Sequence, residues 1–196
     1  DATTKEVAEA LAKVNAKKTA LEAAKKALAD KVTEEQKAAL GNVETDLAVL
    51  GENDLEGKTP TSKQAYTAEV EKIKTAIEEV KREAKDLVAN ADDRTQESAK
   101  LVQAKIEGLK AKLEAAKAGL VEKANKTELT DAKQALDDQT KEADPTTGKT
   151  TSTKAAYEAA KRAAQEEVKA AAIVIANEDA TTKEVAEALA KVNAKK

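Results

Sequence analysis

Apolar residues recur at alternating steps of three and four through most of this chain. Tyr66, Val70, Ile73, Ile77, Val80, Ala84 and Leu87 follow that rhythm, and so do Ala99, Val102, Ile106, Leu109, Leu113, Ala116 and Leu120. Steps of this kind lay a single stripe along one side of a helix. A strand needs period two, and no alternating β-branched run occurs. Two weaker stripes flank the strong ones. The first reads Val7, Ala10, Val14, Leu21, Ala24, Leu28, with Lys17 interrupting it. The last reads Tyr157, Ala160, Ala164, Val168, Ala171, Ile175, rich in alanine and suited to close helix approach.

Helix-start signals stand just ahead of the stripes. Ser/Thr/Asp/Asn followed three residues later by Glu/Gln occurs at Thr3–Glu6, Thr33–Gln36, Thr61–Gln64, Asp93–Gln96, Asn125–Glu128 and Thr181–Glu184. Each such pair offers a side-chain acceptor to an orphan N–H of the first turn. The spacing predicts helices near 3–30, 33–50, 61–90, 94–122, 127–142, 152–177 and 181–196. Long polar connections rich in helix breakers fall at 51–60 and 143–151, and the remaining breaks are short. Consecutive helices are therefore expected to fold back on one another. The expected fold class is all-α, as tandem antiparallel three-helix bundles stacked into an elongated rod. A helix of ~28 residues is ~42 Å long at ~1.5 Å per residue, so each module is slender.

The chain also repeats itself. Its first eighteen residues, DATTKEVAEALAKVNAKK, return unchanged as Asp179–Lys196. GKTPTSKQAY from Gly57 aligns with GKTTSTKAAY from Gly148, and LEAAKKAL from Leu21 with LEAAKAGL from Leu113. These offsets give a degenerate period of ~90 residues with three helices in each unit. Cutting the period at the GKT joints gives three parts. Residues 1–56 hold helices two and three of a first module, 57–147 a complete module, and 148–196 helix one and the start of helix two of a third. Both ends then fall inside modules, as in a piece of a longer protein, and the terminal part-modules are expected to fray or to pair with a neighbouring chain.

Composition narrows the chemistry. The chain has no His, Cys, Met, Trp or Phe, and Tyr66 and Tyr157 are its only aromatics. There is thus no imidazole base and no thiolate. Thirty-four basic residues face 37 acidic ones, for a net charge of −3. That balance argues against nucleic acid, which is bound by basic faces and stacking aromatics. AAAIVIA (170–176) is far too short to cross a membrane, so no membrane insertion is expected. Alanine, lysine, glutamate and leucine dominate, a composition of long helices whose periodicity excludes a disordered chain.

The Tyr that opens helix one, the Asn177–Leu189 turn into helix two and the tandem spacing resemble FIVAR modules and the related GA-type three-helix repeats. These occur in giant cell-wall surface proteins of staphylococci and streptococci, matrix-binding proteins among them. The resemblance implies an extracellular, wall-borne location and an adhesive or spacer role. It also implies partners among host matrix or plasma proteins, such as albumin, fibronectin or immunoglobulin. Arg94–Ser98 departs from the pattern in the central unit. A dedicated host-protein-binding module and a continuous coiled-coil stalk are the competing readings. No residues mark a binding site.

No motif favours catalysis. GKT at Gly57–Thr59 and Gly148–Thr150 lacks the upstream glycine of a phosphate loop, since Glu52 and Ala143 stand there, and no strand precedes it. The pairs Glu78/Glu79, Asp92/Asp93, Asp137/Asp138 and Glu166/Glu167 fall on polar faces or caps, where nothing pushes two pKa values apart. The two tyrosines are expected to bury their rings with the hydroxyl at a bundle end. Asn125-Lys126-Thr127 is the one Asn-x-Ser/Thr sequence. The expectation is a non-enzyme with no catalytic, cofactor or metal residues and no cofactor, acting as a monomeric rod.

Overall fold

The computed structural model describes residues 2–196. The regular elements among them are helices: α1 (Thr4–Lys26), α2 (Glu34–Gly41), α3 (Val43–Asp46), α4 (Pro60–Ala89), α5 (Gln96–Ala118), α6 (Thr127–Thr140), α7 (Thr151–Ala176) and α8 (Thr182–Asn193). Short 3-10 turns cover Asn53–Leu55 and Ala91–Asp93. No strand forms among the described residues; Lys31 with Thr95 and Lys58 with Glu122 make isolated antiparallel bridges.

Three of the six expected capping boxes close fully. The Thr3, Thr33 and Thr181 hydroxyls accept from the N–H groups of Glu6, Gln36 and Glu184 at 3.4, 3.1 and 3.2 Å. Each of those side chains accepts in return from the cap residue's own N–H. The other three starts differ. Pro60 occupies the first position of α4, where a missing N–H costs nothing. The Thr61 N–H lies one residue inside and donates to the Asp179 carboxylate at 2.8 Å. Asp93 is used up in a 3-10 turn, and Thr95 caps α5 instead, its hydroxyl accepting from Ser98 N–H at 3.2 Å. Asn125 turns on itself, accepting from Thr127 N–H at 2.9 Å, and forms no box with Glu128. The helix expected over 33–50 breaks at Gly41–Asn42 into α2 and α3. Glycine and asparagine are both weak helix interiors, so the break falls where propensity is lowest.

The chain divides into two compact units. The first comprises Asp1–Ala48 and Lys74–Ala111. Its buried side chains include Leu40, Val43 and Leu47 from α2 and α3, Ile77, Val80, Ala84 and Leu87 from α4, and Ala99, Val102, Ile106 and Leu109 from α5. Those of α4 and α5 are residues of the two strong stripes. Ion pairs edge the unit: Glu44 receives Lys81 at 2.8 Å and Lys85 at 2.6 Å, Lys105 meets Glu83 at 2.7 Å, and Lys110 meets Asp46 at 2.8 Å.

The second unit comprises Val49–Ile73 and Lys112–Lys196. Here α6, α7 and α8 all pack on one another. Leu129, Ala132 and Leu136 of α6 join Ala164 and Ala171 of α7 and Val185, Ala188 and Val192 of α8 in a single core. Fully burying a Leu or Val side chain is worth about 1.5–3 kcal/mol. A repeat may be cut at any phase. The cut at the GKT joints separates α6 from α7, whereas packing joins α6 to both of the helices that follow it, α7 and α8. This bears on the expected fraying at the C-terminal end: α8 has both partners it needs, and Val192 is fully buried.

The first helix is different. α1 is formed and capped, yet none of its residues is buried.

Candidate functional site

The features singled out in the sequence fall on three kinds of surface. The GKT joints come first. Gly57 and Gly148 take left-handed φ values of +80° and +73°, which a side chain would strain. Each glycine turns the chain into the helix that follows. At the first joint Thr59 N–H donates to Val121 O at 2.8 Å, and Lys123 N–H donates to Gly57 O at 2.7 Å. Ser62 Oγ donates to Thr59 O at 3.0 Å and accepts from Val121 N–H at 3.1 Å. The Lys58 ammonium pairs with Glu122. The lysine that a phosphate loop would aim at a nucleotide is engaged with a carboxylate. At the second joint Thr150 caps α7 and the backbone closes a turn from Lys149 N–H to Thr146 O at 3.1 Å.

The turn between α7 and α8 seats on the start of α4. Asp179 accepts from Thr61 N–H and from the Thr61 hydroxyl, both at 2.8 Å. The N–H bond first, then the hydroxyl, holds this carboxyl below its usual range. Lys126 reaches the carbonyl at the other end of the turn, donating to Ile175 O at 2.9 Å and to Asn177 O at 2.5 Å. A cation at the C-terminus of α7 also suits the helix dipole.

The tyrosines come next. Tyr66 behaves as expected: its ring is buried, and its hydroxyl accepts from Leu50 N–H at 2.8 Å. Tyr157, at the equivalent place, is only half-buried. It borders a recess of about 290 Å³ lined by Pro145, Thr146, Lys149, Thr153 and Lys154, and a smaller one shared with Leu136 and Lys195. Both rings open their helices with the same local sequence signal. The difference arises downstream of it, because the polar connection before Tyr66 folds back to offer a backbone donor.

The carboxylate pairs are not brought together into a cleft. Glu78 and Glu79 are exposed, as are Asp92 and Asp93. Asp92 pairs with Lys31 at 2.6 Å, and Asp137 with Lys141 at 2.7 Å. Asn125 spends its side-chain oxygen on the Thr127 N–H. Among the described residues no group of three or more acidic side chains is arranged to hold a metal ion, and no helix is long and apolar enough to cross a membrane.

The third surface was missed as a site. Val7, Leu11, Val14 and Leu21 stand 57–62% exposed along α1, and Leu28 beyond it is 81% exposed. The same face of the same word is buried in α8, where Val185 and Val192 are 7% and 0% exposed. The signal was available: the repeat showed that one eighteen-residue segment would meet two different surroundings.

No protein-family model matches the chain. A solved structure from a characterization of extracellular matrix binding protein (Embp)-mediated Staphylococcus epidermidis adherence to fibronectin is 25% identical, over 81% of this chain and 92% of that one. The TM-score is 0.44, too loose a superposition to carry an argument about this chain.

Proposed function

We propose that this chain is a stretch of the repeat region of a bacterial cell-surface adhesin. Three-helix bundles follow one another in it as an elongated, monomeric rod that spaces or presents adhesive surface outside the cell. The role is architectural and adhesive, with no reaction catalysed. The observation that carries this reading is the recurrence of one order of elements: a short helical stretch, a breaker-rich joint, then a long helix and, after a short turn, a further helix. It is packed around one core in α6–α8, and the same order of elements stands at α2–α5. Units that each bury their own stripe and repeat along the chain suit extended scaffolds. The adhesin assignment, the wall location and the host matrix or plasma partners rest on the sequence resemblance to FIVAR and GA-type repeats.

Small-angle scattering on the isolated chain tests the architecture. A monomer with the profile of successive bundles is expected. A dimer as long as one continuous coiled coil would replace this reading with a stalk. Binding of the chain to immobilised fibronectin, albumin and immunoglobulin tests the role. Weak or unsaturable binding is expected of a spacer, and saturable binding to one of them would move the assignment to a dedicated host-protein module.

A further inference from the structure

We propose that the turn between α7 and α8 is a latch: it holds the α6–α8 bundle at a fixed angle to the start of α4, and Asp179 is the residue that positions it. The latch stands whatever the chain binds. Only its use, to keep successive bundles from swivelling, rests on the reading of the chain as a rod. Every bond in it joins internal segments of the second unit.

By its sequence this joint should swivel. Residues 119–126, GLVEKANK, link α5 to α6 and carry a glycine and an asparagine, which suit turns rather than helices. In the structure the link is held from two sides. On one side Thr59 N–H donates to Val121 O at 2.8 Å, Lys123 N–H to Gly57 O at 2.7 Å and Val121 N–H to Ser62 Oγ at 3.1 Å. On the other side the Lys126 ammonium donates to Ile175 O at 2.9 Å and to Asn177 O at 2.5 Å, and Ala124 packs against the α6–α8 core. Asp179 then joins the two outer parts directly. Its Oδ1 accepts from Thr61 N–H and its Oδ2 from the Thr61 hydroxyl, both at 2.8 Å. Pro60 has no N–H, so that of Thr61 is the first donor α4 presents, and a carboxylate is favoured there by charge and by the helix dipole. Asn177 shapes the turn from within, its Oδ1 accepting from Asp179 N–H at 3.0 Å. The start of α4, the link and the turn close a ring of contacts. Rotation about the link has to break the Asp179–Thr61 pair.

The first unit shows the same design. Aligning Ala89-Asn90 with Ala176-Asn177 makes Asp92 the counterpart of Asp179. Asp92 pairs at 2.6 Å with Lys31, in the segment that follows α1. Backbone bonds run beside that pair from Val32 N–H to Arg94 O and from Gln96 N–H to Asp30 O, both at 2.9 Å. In both units the turn between two successive helices receives the preceding link, and the same aspartate takes part with a different partner.

The chain's lack of cysteine allows a clean test by spin labelling and pulsed electron double resonance. Labels on Gln64→Cys and Gln165→Cys, both at exposed positions, span the latch. Labels on Asp131→Cys and Gln165→Cys, also exposed, lie within the α6–α8 bundle and report its integrity. Without further change both pairs are expected to give one narrow distance peak. Asp179→Ala is expected to widen the peak of the spanning pair at least about twofold, as a hinge is freed, and to leave the pair within the bundle unchanged. A spanning peak that is already broad with Asp179 in place would overturn the latch while leaving the bundles, and with them the rod reading, intact. An unchanged spanning peak in Asp179→Ala would overturn the role of Asp179. Broadening of both pairs would also overturn it, because Asp179 would then hold the bundle's own fold and not its joint.

Discussion

At the scale of single residues, side chains that look equivalent in the sequence are separated by what their surroundings offer. Tyr66 and Tyr157 open equivalent helices, but only Tyr66 meets a backbone donor, the Leu50 N–H. Tyr66→Phe leaves that N–H without its partner and is expected to cost about 1–2 kcal/mol of stability, whereas Tyr157→Phe should fall within about 0.5 kcal/mol of the parent. Chemical denaturation of the two variants checks this. Glu44 shows a charge effect of the same local kind. Hydrogen bonds from Lys81 first and Lys85 second lower its pKa from 4.5 to about 2. A carboxyl lowered on folding stabilises the fold fully above its unfolded pKa, and that contribution disappears as the pH falls through the folded value. Thermal unfolding should thus lose stability between about pH 4.5 and pH 2. Glu44→Gln should flatten that part of the curve, and high salt should weaken the effect because the group is exposed. An unchanged slope in Glu44→Gln would remove Glu44 from the acid response.

At the scale of elements, the apolar stripes and Thr-led caps were legible because both are local. The stripes of α4 and α5 supply most of the buried side chains of the first unit, and three capping boxes close as the spacing requires. What was not legible depended on competition between neighbours. Asp93 and Thr95 both offered a cap to α5, and the 3-10 turn took the first. Thr61 was spaced like a cap, but Pro60 had already begun the helix. The break at Gly41–Asn42 needed the sum of two weak residues. The repeated word gives the element scale its sharpest comparison. Val192→Ala removes two methyl groups from a closed core and is expected to cost about 1–3 kcal/mol, while Val14→Ala, the same change at the same place in the word, should be near neutral. Paired melting curves of the two variants check the difference, and equal losses would mean that α1 has a cover in solution.

At the scale of the whole molecule, the sequence exposed a period but left its structural grouping open. Stripes state that a helix has an apolar side; they do not state which neighbours meet it. The GKT joints look like natural boundaries because glycine and threonine interrupt the helices there, yet the packed set α6–α8 reaches across the second joint. No candidate site was legible for the same reason. The exposed face of α1 owes its character to the partners around it, not to any residue type it contains. The central claim is that an identical segment is stabilised or left bare by packing context alone. Residue-resolved amide exchange by NMR in dilute solution tests it most directly, with Thr19 after the first copy and Glu178 before the second telling the two apart. The amides of Val185–Val192 should exchange about a hundredfold or more slowly than those of Val7–Val14, since core helices open only with their unit and an unpacked helix frays alone. Equal protection of the two copies in a monomer would contradict it.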